Sequence, residues 1–361
     1  MPRIKTPDFK LTIGTLNFTD DLKTRVNEIE VDQVSDGASS FKVMLDDRDD
    51  RFSNGGEIKE GMACTIELGY ADTGTKQLIQ GIVTGVNTKR NEAARKLYVI
   101  NGFDGLQALR RGSKRRSWED IKDSDLASAI ANECGLEPDV EDSGIILPYV
   151  VQNNQTDLSF LLERAKRNGY ELKVEERRLV FKKPKRTEDS GVTLRWSGTN
   201  ENDGDPNVSI LQRCDFKTST MNAVKKVVVR SYDPGSAQPI IGVAEQIDGD
   251  TMGGSTGAGD AAAANNPDTT IQISDQPVSS QEEAERLASS ILNERAGEYM
   301  TGRGRCEGSN AVACGKKITV KDVGAEAEGD YYVTSAKHIF KAGHSKGFGY
   351  WTDFTISRTG H

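Results

Sequence analysis

The chain carries 361 residues, 55 of them acidic and 47 basic, for a net charge of −8 with 35% hydrophobic residues. That length buries a substantial core in about two or three domains, and no apolar run approaches the roughly 18–20 residues that a membrane-spanning helix needs, so no membrane segment is expected. The charge excludes a polyanion-seeking protein, which shows a strong positive balance or stripe; ten acids and no Lys or Arg fall between Ser231 and Glu285, leaving the rest of the chain at +2.

The N-terminal MPRIKTPDFKL lacks the apolar centre of a secretory signal, so a chain that stays in the cytoplasm is expected, at least at first. FKLTIG, NEIEVDQV, SSFKVMLDD, ACTIELGY, QLIQGIVTGV and RKLYVING, between residues 9 and 103, each place apolar residues at period two, the mark of half-buried strands. Glycines punctuate their ends. Short strands at this spacing predict a closed or nearly closed antiparallel barrel over residues 1–105, because closure removes exposed edges.

The pattern changes at Leu106. SDLASAIANECGL predicts a helix capped by Asp123 or Ser124, with Leu126, Ala129, Ile130 and Cys134 on one face and Gly135 as its stop. In TDLSFLLERAKRNGYELKVEERRLVF, Thr156 caps a second helix with an apolar stripe of Leu158, Leu161, Leu162 and Ala165. Asn168-Gly169 ends it, and a hairpin turns at Glu175–Arg177. The stripe is expected to pack within its own subunit, and the charged face to be surface open to neighbours. Residues 106–186 thus read as a small α/β domain with two helices and a hairpin.

Strand patterns resume in GVTLRWSG, VSILQRCDF and NAVKKVVVRSY. Residues 234–270, rich in Gly, Ala and Asp, bury too little apolar surface to order themselves and read as an acidic loop. A helix follows over 280–299, with Ala284, Leu287, Ala288, Ile291 and Leu292 on one side, then strands in KKITVKDVG, GDYYVTSAKHIF and GYWTDFTISR. Residues 187–361 read as a second barrel. The spacing of Gly61, Gly69 and Gly81 is echoed by Gly315, Gly324 and Gly329. The fold class is mainly β with an α/β insert, two similar antiparallel β-barrels flanking a small α/β domain.

Little in the chain does chemistry. His338, His344 and His361 form no HxxxH or HExxH pattern, and His338 reads as structural. Cys64, Cys134, Cys214, Cys306 and Cys314 are odd in number and lack a CxxC pair, against a disulfide framework and a zinc site alike. Asp47 and Asp49 alternate as calcium ligands do, but Arg51 occupies the next alternate position, so a solvated loop is expected. GRGRCEG lies after a helix and before strands, the reverse of a dinucleotide fingerprint. No cofactor, no metal and no catalytic residue is expected. The basic string LRRGSKRRSW places Arg110, Arg111, Lys114, Arg115 and Arg116 beside Trp118; it reads as a linker or a protein-docking rim, Arg and Trp being common interface hot spots.

The order of GYADTGTKQLIQGIVTGV, NGFDGLQAL, the basic string with its tryptophan, SDLASAIANECGL, NNQTDLSFLLERAKRNGYEL and GDYYVTSAKHIF resembles the phage late control protein D family. That family is similar to the N-terminal hub part of VgrG, the spike protein of type VI secretion, and to the baseplate hub of contractile phage tails. The resemblance implies a non-enzymatic structural hub, assembled in the producing cell's cytoplasm into the baseplate of a phage tail or contractile injection system. It implies a homotrimer with two barrels per subunit, a pseudo-sixfold ring that joins the hexameric tail tube, or a tube-initiator protein, to a separate trimeric spike protein, with other baseplate proteins around it. The basic string, Arg110 to Trp118, is the expected partner interface. Nucleic-acid binding is not expected; a carbohydrate-active β enzyme or a cell-wall-binding module of a tail is the rival reading.

Overall fold

The computed structural model describes residues 5–90, 96–196, 207–220, 223–247, 252, 258, 269–342 and 349–360. The N-terminal part holds β1 (Pro7–Ile13), β2 (Leu16–Asn17), α1 (Asp20–Arg25), β3 (Val26–Val34), β4 (Ser40–Asp46), α2 (Arg51–Gly55), β5 (Ala63–Tyr70), β6 (Gly74–Arg90) and β7 (Lys96–Asp104). Alternation sends Phe41, Val43 and Leu45 of β4 and Ile66 and Leu68 of β5 inward, where they meet Phe9, Ile29 and Val31 in one core. The acidic string after β4 is not the solvated loop expected. Asp47 is buried and accepts the amides of Phe52 (2.8 Å) and Ser53 (3.3 Å) at the head of α2, while Arg25 grips Asp49 with two bonds and Lys96 pairs with Asp50.

A 3-10 turn (Gly105–Arg110), capped by Asp104 accepting the Leu106 amide at 3.0 Å, leads into the insert. There follow β8 (Lys114–Lys122), α3 (Asp123–Glu133), β9 (Glu137–Val140), β10 (Ile146–Gln155), α4 (Asp157–Asn168), β11 (Glu171–Glu175) and β12 (Arg178–Lys182). Strands β8 and β10 form a two-stranded ribbon; β9, β12 and β11 form a second small sheet. Helix α4 starts and stops where the sequence places it: Thr156 Oγ1 accepts the Ser159 amide at 3.1 Å, and Gly169 ends it. Leu158, Leu161 and Ala165 are buried in the insert's own core, and Leu162 packs against it. Helix α3 differs in two details. Its Ser124 amide is satisfied by Ser143 Oγ at 3.2 Å and not by a cap of its own, and Ala127 and Ala131, not Ala129, share the buried face with Leu126 and Ile130.

The C-terminal part comprises β13 (Asp189–Trp196), β14 (Val208–Thr218), β15 (Lys226–Asp233), β16 (Gln238–Ala244), β17 (Thr270–Ile273), α5 (Gln281–Gly297), β18 (Met300–Glu307), β19 (Lys317–Lys321), β20 (Gly329–Lys341) and β21 (Gly349–Arg358). The segment read as an acidic loop includes β16, whose Ile240 and Ala244 are buried against α5. Its residues 248–251, 253–257 and 259–268 lie outside the described residues, as do His344 and His361. Strands β16, β15 and β17 make a sheet laid on α5. Gly242 allows that contact, since a Cβ there would collide with the Ala284–Glu285 backbone.

The remaining strands build the fold announced by the period-two patterns, mainly β with the α/β insert between two related halves. Strand order is β3-β4-β7-β6-β5-β1 in the N-terminal half and β14-β18-β21-β20-β19-β13 in the C-terminal half, where β13 pairs with both β14 and β19 to close a six-stranded barrel. Both of its ladders are parallel, whereas every other barrel ladder is antiparallel. The halves match in detail. The Gly61 amide donates to Val83 O and the Val83 amide to Met62 O (2.8 and 2.9 Å); Gly315, Val333 and Lys316 repeat both bonds (2.9 and 2.9 Å). Gly61 and Gly315 sit at φ +86° and +85°, a region that favours glycine.

Register shifts recur at matched places: between Val83 and Gly85 against β7 and between Val333 and Ser335 against β21, then between Val26 and Glu28 against β4 and between Leu211 and Arg213 against β18. Bulges re-aim strands and are retained as designed features, so these two matched pairs of register shifts, with the repeated glycine bonds, make the glycine echo a structural duplication. The halves are fused by β20. Its Ser335–Lys341 stretch pairs antiparallel with Glu28–Val34 of β3, and one continuous sheet runs through both.

Candidate partner interfaces

The basic string is not a linker, because Lys114 to Lys122 form β8, and strand alternation divides its side chains. Lys114, Arg116 and Trp118 turn inward. Arg116 donates to Gln152 Oε1 (2.8 Å), Asp157 Oδ1 (2.8 Å) and both Glu133 oxygens (2.9 and 2.6 Å), and lies 4.7 Å above the Trp118 ring. Lys114 pairs with Asp157 at 2.7 Å, and that hydrogen bond raises its pKa. Trp118 stacks on Phe160 of α4, centroids 5.6 Å apart. Arg110, Arg111 and Arg115 remain exposed, Arg110 lying 5.1 Å over the Phe103 ring. The six residues taken together from the sequence thus fall into an internal brace and a basic rim.

Helix α4 leaves only part of its charged face open to neighbours: Glu163 and Lys166 are exposed, whereas Arg164 and Arg167 are buried in internal pairs. Arg164 forms two bonds to Asp123 (2.6 and 2.9 Å), and Asn168 adds a third at 2.7 Å. Arg167 donates to Glu283 (2.9 Å) and to the Pro277 carbonyl (2.7 Å) from the head of α5, and Arg286 of α5 donates to the Ser143 carbonyl. Burial pushes the Glu283 carboxyl up, but donors from Ser279 and Arg167 outweigh it, and the net shift is downward. This buried ion network clamps the insert onto α5. Its partners stand 116 residues apart in the chain, and the Ser280–Glu283 spacing reads only as a capping box.

The residues that can do chemistry are held in structural roles. His338 is fully buried, its Nδ1 within bonding distance of Tyr350 Oη (2.9 Å) and Thr352 Oγ1 (3.2 Å), and burial pushes its pKa down to about 3. Burial likewise pushes the Cys64, Cys306 and Cys314 thiols up to about 12, and all five cysteines are free. No cluster of three or more His, Cys, Asp or Glu positioned for a metal exists among the described residues. An open groove of about 520 Å³ lies between the β3–β4 loop and the first turn of α4; Asp36, Arg110 and Ser159 line it, with no histidine or cysteine.

Surfaces fit for partners are more evident. The outward side of the ribbon exposes Tyr149 (59%) and Val151 (44%) beside Arg115, and that of the β15–β17 sheet exposes Tyr232 (59%), Ile241 (39%) and Val243 (41%). The β16 edge is blunted, because Gln281 bonds both the amide (3.4 Å) and the carbonyl (2.8 Å) of Ile241 and Pro239 has no amide to offer. Residues 85–90 of β6 and 213–218 of β14 each pair on one side only among the described residues.

The chain belongs to the Alg8 N-terminal domain family, whose profile matches residues 10–341. It is 25% identical over 181 residues to the "Probable baseplate hub protein" of Escherichia phage P2; that alignment covers 49% of this chain and spans about half of the relative, 46%. Among solved structures, the 43 kDa tail protein of prophage MuSo2 from Shewanella oneidensis superposes with a TM-score of 0.71 over 98% of each chain, at 14% identity. An Escherichia coli protein titled a component of the type VI secretion system superposes at 0.61 over 98% of this chain and 78% of its own, at 13% identity. The fold is therefore that of tail hub proteins, as the sequence resemblance implied.

Proposed function

We propose that this member of the Alg8 N-terminal domain family is a non-enzymatic hub of a contractile tail or injection-system baseplate. Three copies form a ring that receives the hexameric tail tube on one face and a separate trimeric spike on the other. The observation that carries the reading is the duplication. Each chain supplies two six-stranded units with coincident bulges at Val83/Val333 and Val26/Leu211. Three chains therefore supply six such units, which matches sixfold to threefold symmetry without a separate adaptor.

The chemistry agrees. His338, Cys64 and Cys306 are buried, and the buried Arg167–Glu283 pair braces the insert against α5. The test is removal of this chain from a producing cell, followed by electron microscopy of the particles. The reading expects tubes and spikes that no longer join; particles with spikes seated on complete tubes would overturn it.

A further inference from the structure

The basic rim and the groove beside α4 form one surface, and its chemistry specifies a partner that the ring reading does not name. Of the six basic residues from Arg110 to Lys122, three are neutralised internally: Lys114 by Asp157, Arg116 by Glu133 and Lys122 by Asp142. Arg110, Arg111 and Arg115 are exposed and make no ion pair among the described residues, Arg110 lying over the Phe103 ring. Arg110 also lines the groove, with Asp36 of the β3–β4 loop and Ser159 of α4. The apolar part of the groove is Ala38, Leu158 and Leu162, of which Ala38 and Leu162 are half-buried against the insert's core. Asp36 is exposed and likewise makes no ion pair among the described residues.

The ribbon continues this surface. Gln155 pairs with Lys114 and is followed by Thr156, which lines the groove. From there Arg115 stands opposite Asn153, Ser117 opposite Val151 and Glu119 opposite Tyr149, all of them exposed. Seven strand residues, Tyr149 to Gln155, make a track of roughly 20 Å.

Three classes of occupant are distinguishable here. A free phosphate would want an open helix N-terminus, but Thr156 Oγ1 already takes the Ser159 amide and the buried Asp157 fills the first turn. A nucleic acid would carry its phosphates past the exposed carboxylates of Asp36, Glu119 and Asp120, and would find no aromatic face in the groove to stack on. A polypeptide matches the surface place by place. An aliphatic side chain fills the groove between Ala38 and Leu162, and carboxylates engage the three unpaired guanidiniums, which suit bidentate pairing. A second apolar side chain lies on Val151 and Tyr149. We infer that the groove and rim dock an extended segment of another protein, rich in Asp and Glu and anchored by an aliphatic residue.

The test pans random dodecapeptides displayed on filamentous phage against the immobilised full chain, then titrates an enriched peptide, fluorescein-labelled, by anisotropy. Enriched peptides should combine Asp or Glu with Leu, Ile or Met. Their affinity should fall about tenfold or more in Arg110→Glu with Arg111→Glu, and equally in Ser159→Trp, which fills the groove without changing charge. Arg230→Glu, at an exposed arginine of β15, should bind as the parent does. All these positions are exposed, so melting curves should match the parent's and separate lost binding from lost folding. No enrichment, enriched peptides without acids, or binding indifferent to the groove variants overturns the inference. A single-stranded DNA oligonucleotide that binds at about 0.15 M salt and is released by the same variants overturns it in favour of nucleic acid, and displacement of the peptide by millimolar inorganic phosphate reduces the site to an anion site. Each of these failures leaves the trimeric hub standing, since that reading is tested on the particles themselves.

Discussion

Glu283→Ala should unlock the insert from α5. In the folded chain the Glu283 carboxylate accepts Arg167 at 2.9 Å and both the amide (2.8 Å) and the hydroxyl (2.9 Å) of Ser279, and approaches Arg164 at 3.9 Å. Arg167 is 9% exposed and its Nε already has no partner, so after the truncation only the Pro277 carbonyl would remain to it. Removing one member of a buried pair strands the other's charge and costs about 3–5 kcal/mol. Urea unfolding followed by tryptophan fluorescence should show a lower midpoint at unchanged slope, with hydrogen exchange accelerated first in α5. Replacing both charges, Arg167→Met with Glu283→Met, should return stability to within about 1–2 kcal/mol of the parent, since apolar substitutes remove the desolvation penalty as well. A loss below about 1 kcal/mol for Glu283→Ala, or a double variant no better than the single, would refute the picture of a buried clamp.

Arg116→Ala should cost about 2–4 kcal/mol by leaving buried Asp157 with Lys114 as its one cation, while Arg115→Ala, exposed on the same strand, should stay within about 0.5 kcal/mol; thermal melting separates them. Asp104 is pushed up to about 6 by burial, so the folded state holds more protons than the unfolded one between roughly pH 4 and 6. Its contribution is present below that window and is lost as pH rises through about 6, by up to ~3 kcal/mol. Asp104→Asn should abolish this pH dependence in melting curves measured from pH 4 to 8. Gly242→Ala drives a methyl into the Ala284–Glu285 backbone and should cost about 1–3 kcal/mol, loosening the β15–β17 sheet from α5 in hydrogen exchange.

The legible parts of the sequence were those decided locally. Thr156, Asn168 and Gly169 specify the limits of α4 through neighbouring backbone groups alone, and period-two runs such as SSFKVMLDD announce strands because one face of each is buried. What depended on distant partners was hidden. Lys114 and Arg116 in β8 looked like part of a solvated rim because the acids that neutralise them, Glu133 and Asp157, arrive from α3 and α4. Arg164 and Arg167 looked like surface because Asp123 and Glu283 come from elsewhere in the chain. The parallel placement of β13 between β14 and β19 also leaves no trace in a period-two pattern. The glycine echo was visible, but only the repeated Gly61–Val83 and Gly315–Val333 bonds turn spacing into duplication.

The central claim, a trimeric hub between tube and spike, is tested most directly by native mass measurement of the full chain, alone and mixed with the tube and spike proteins of its own particle. The account predicts a trimer that takes up a spike trimer and caps tube hexamers. A stable monomer that ignores both would contradict it.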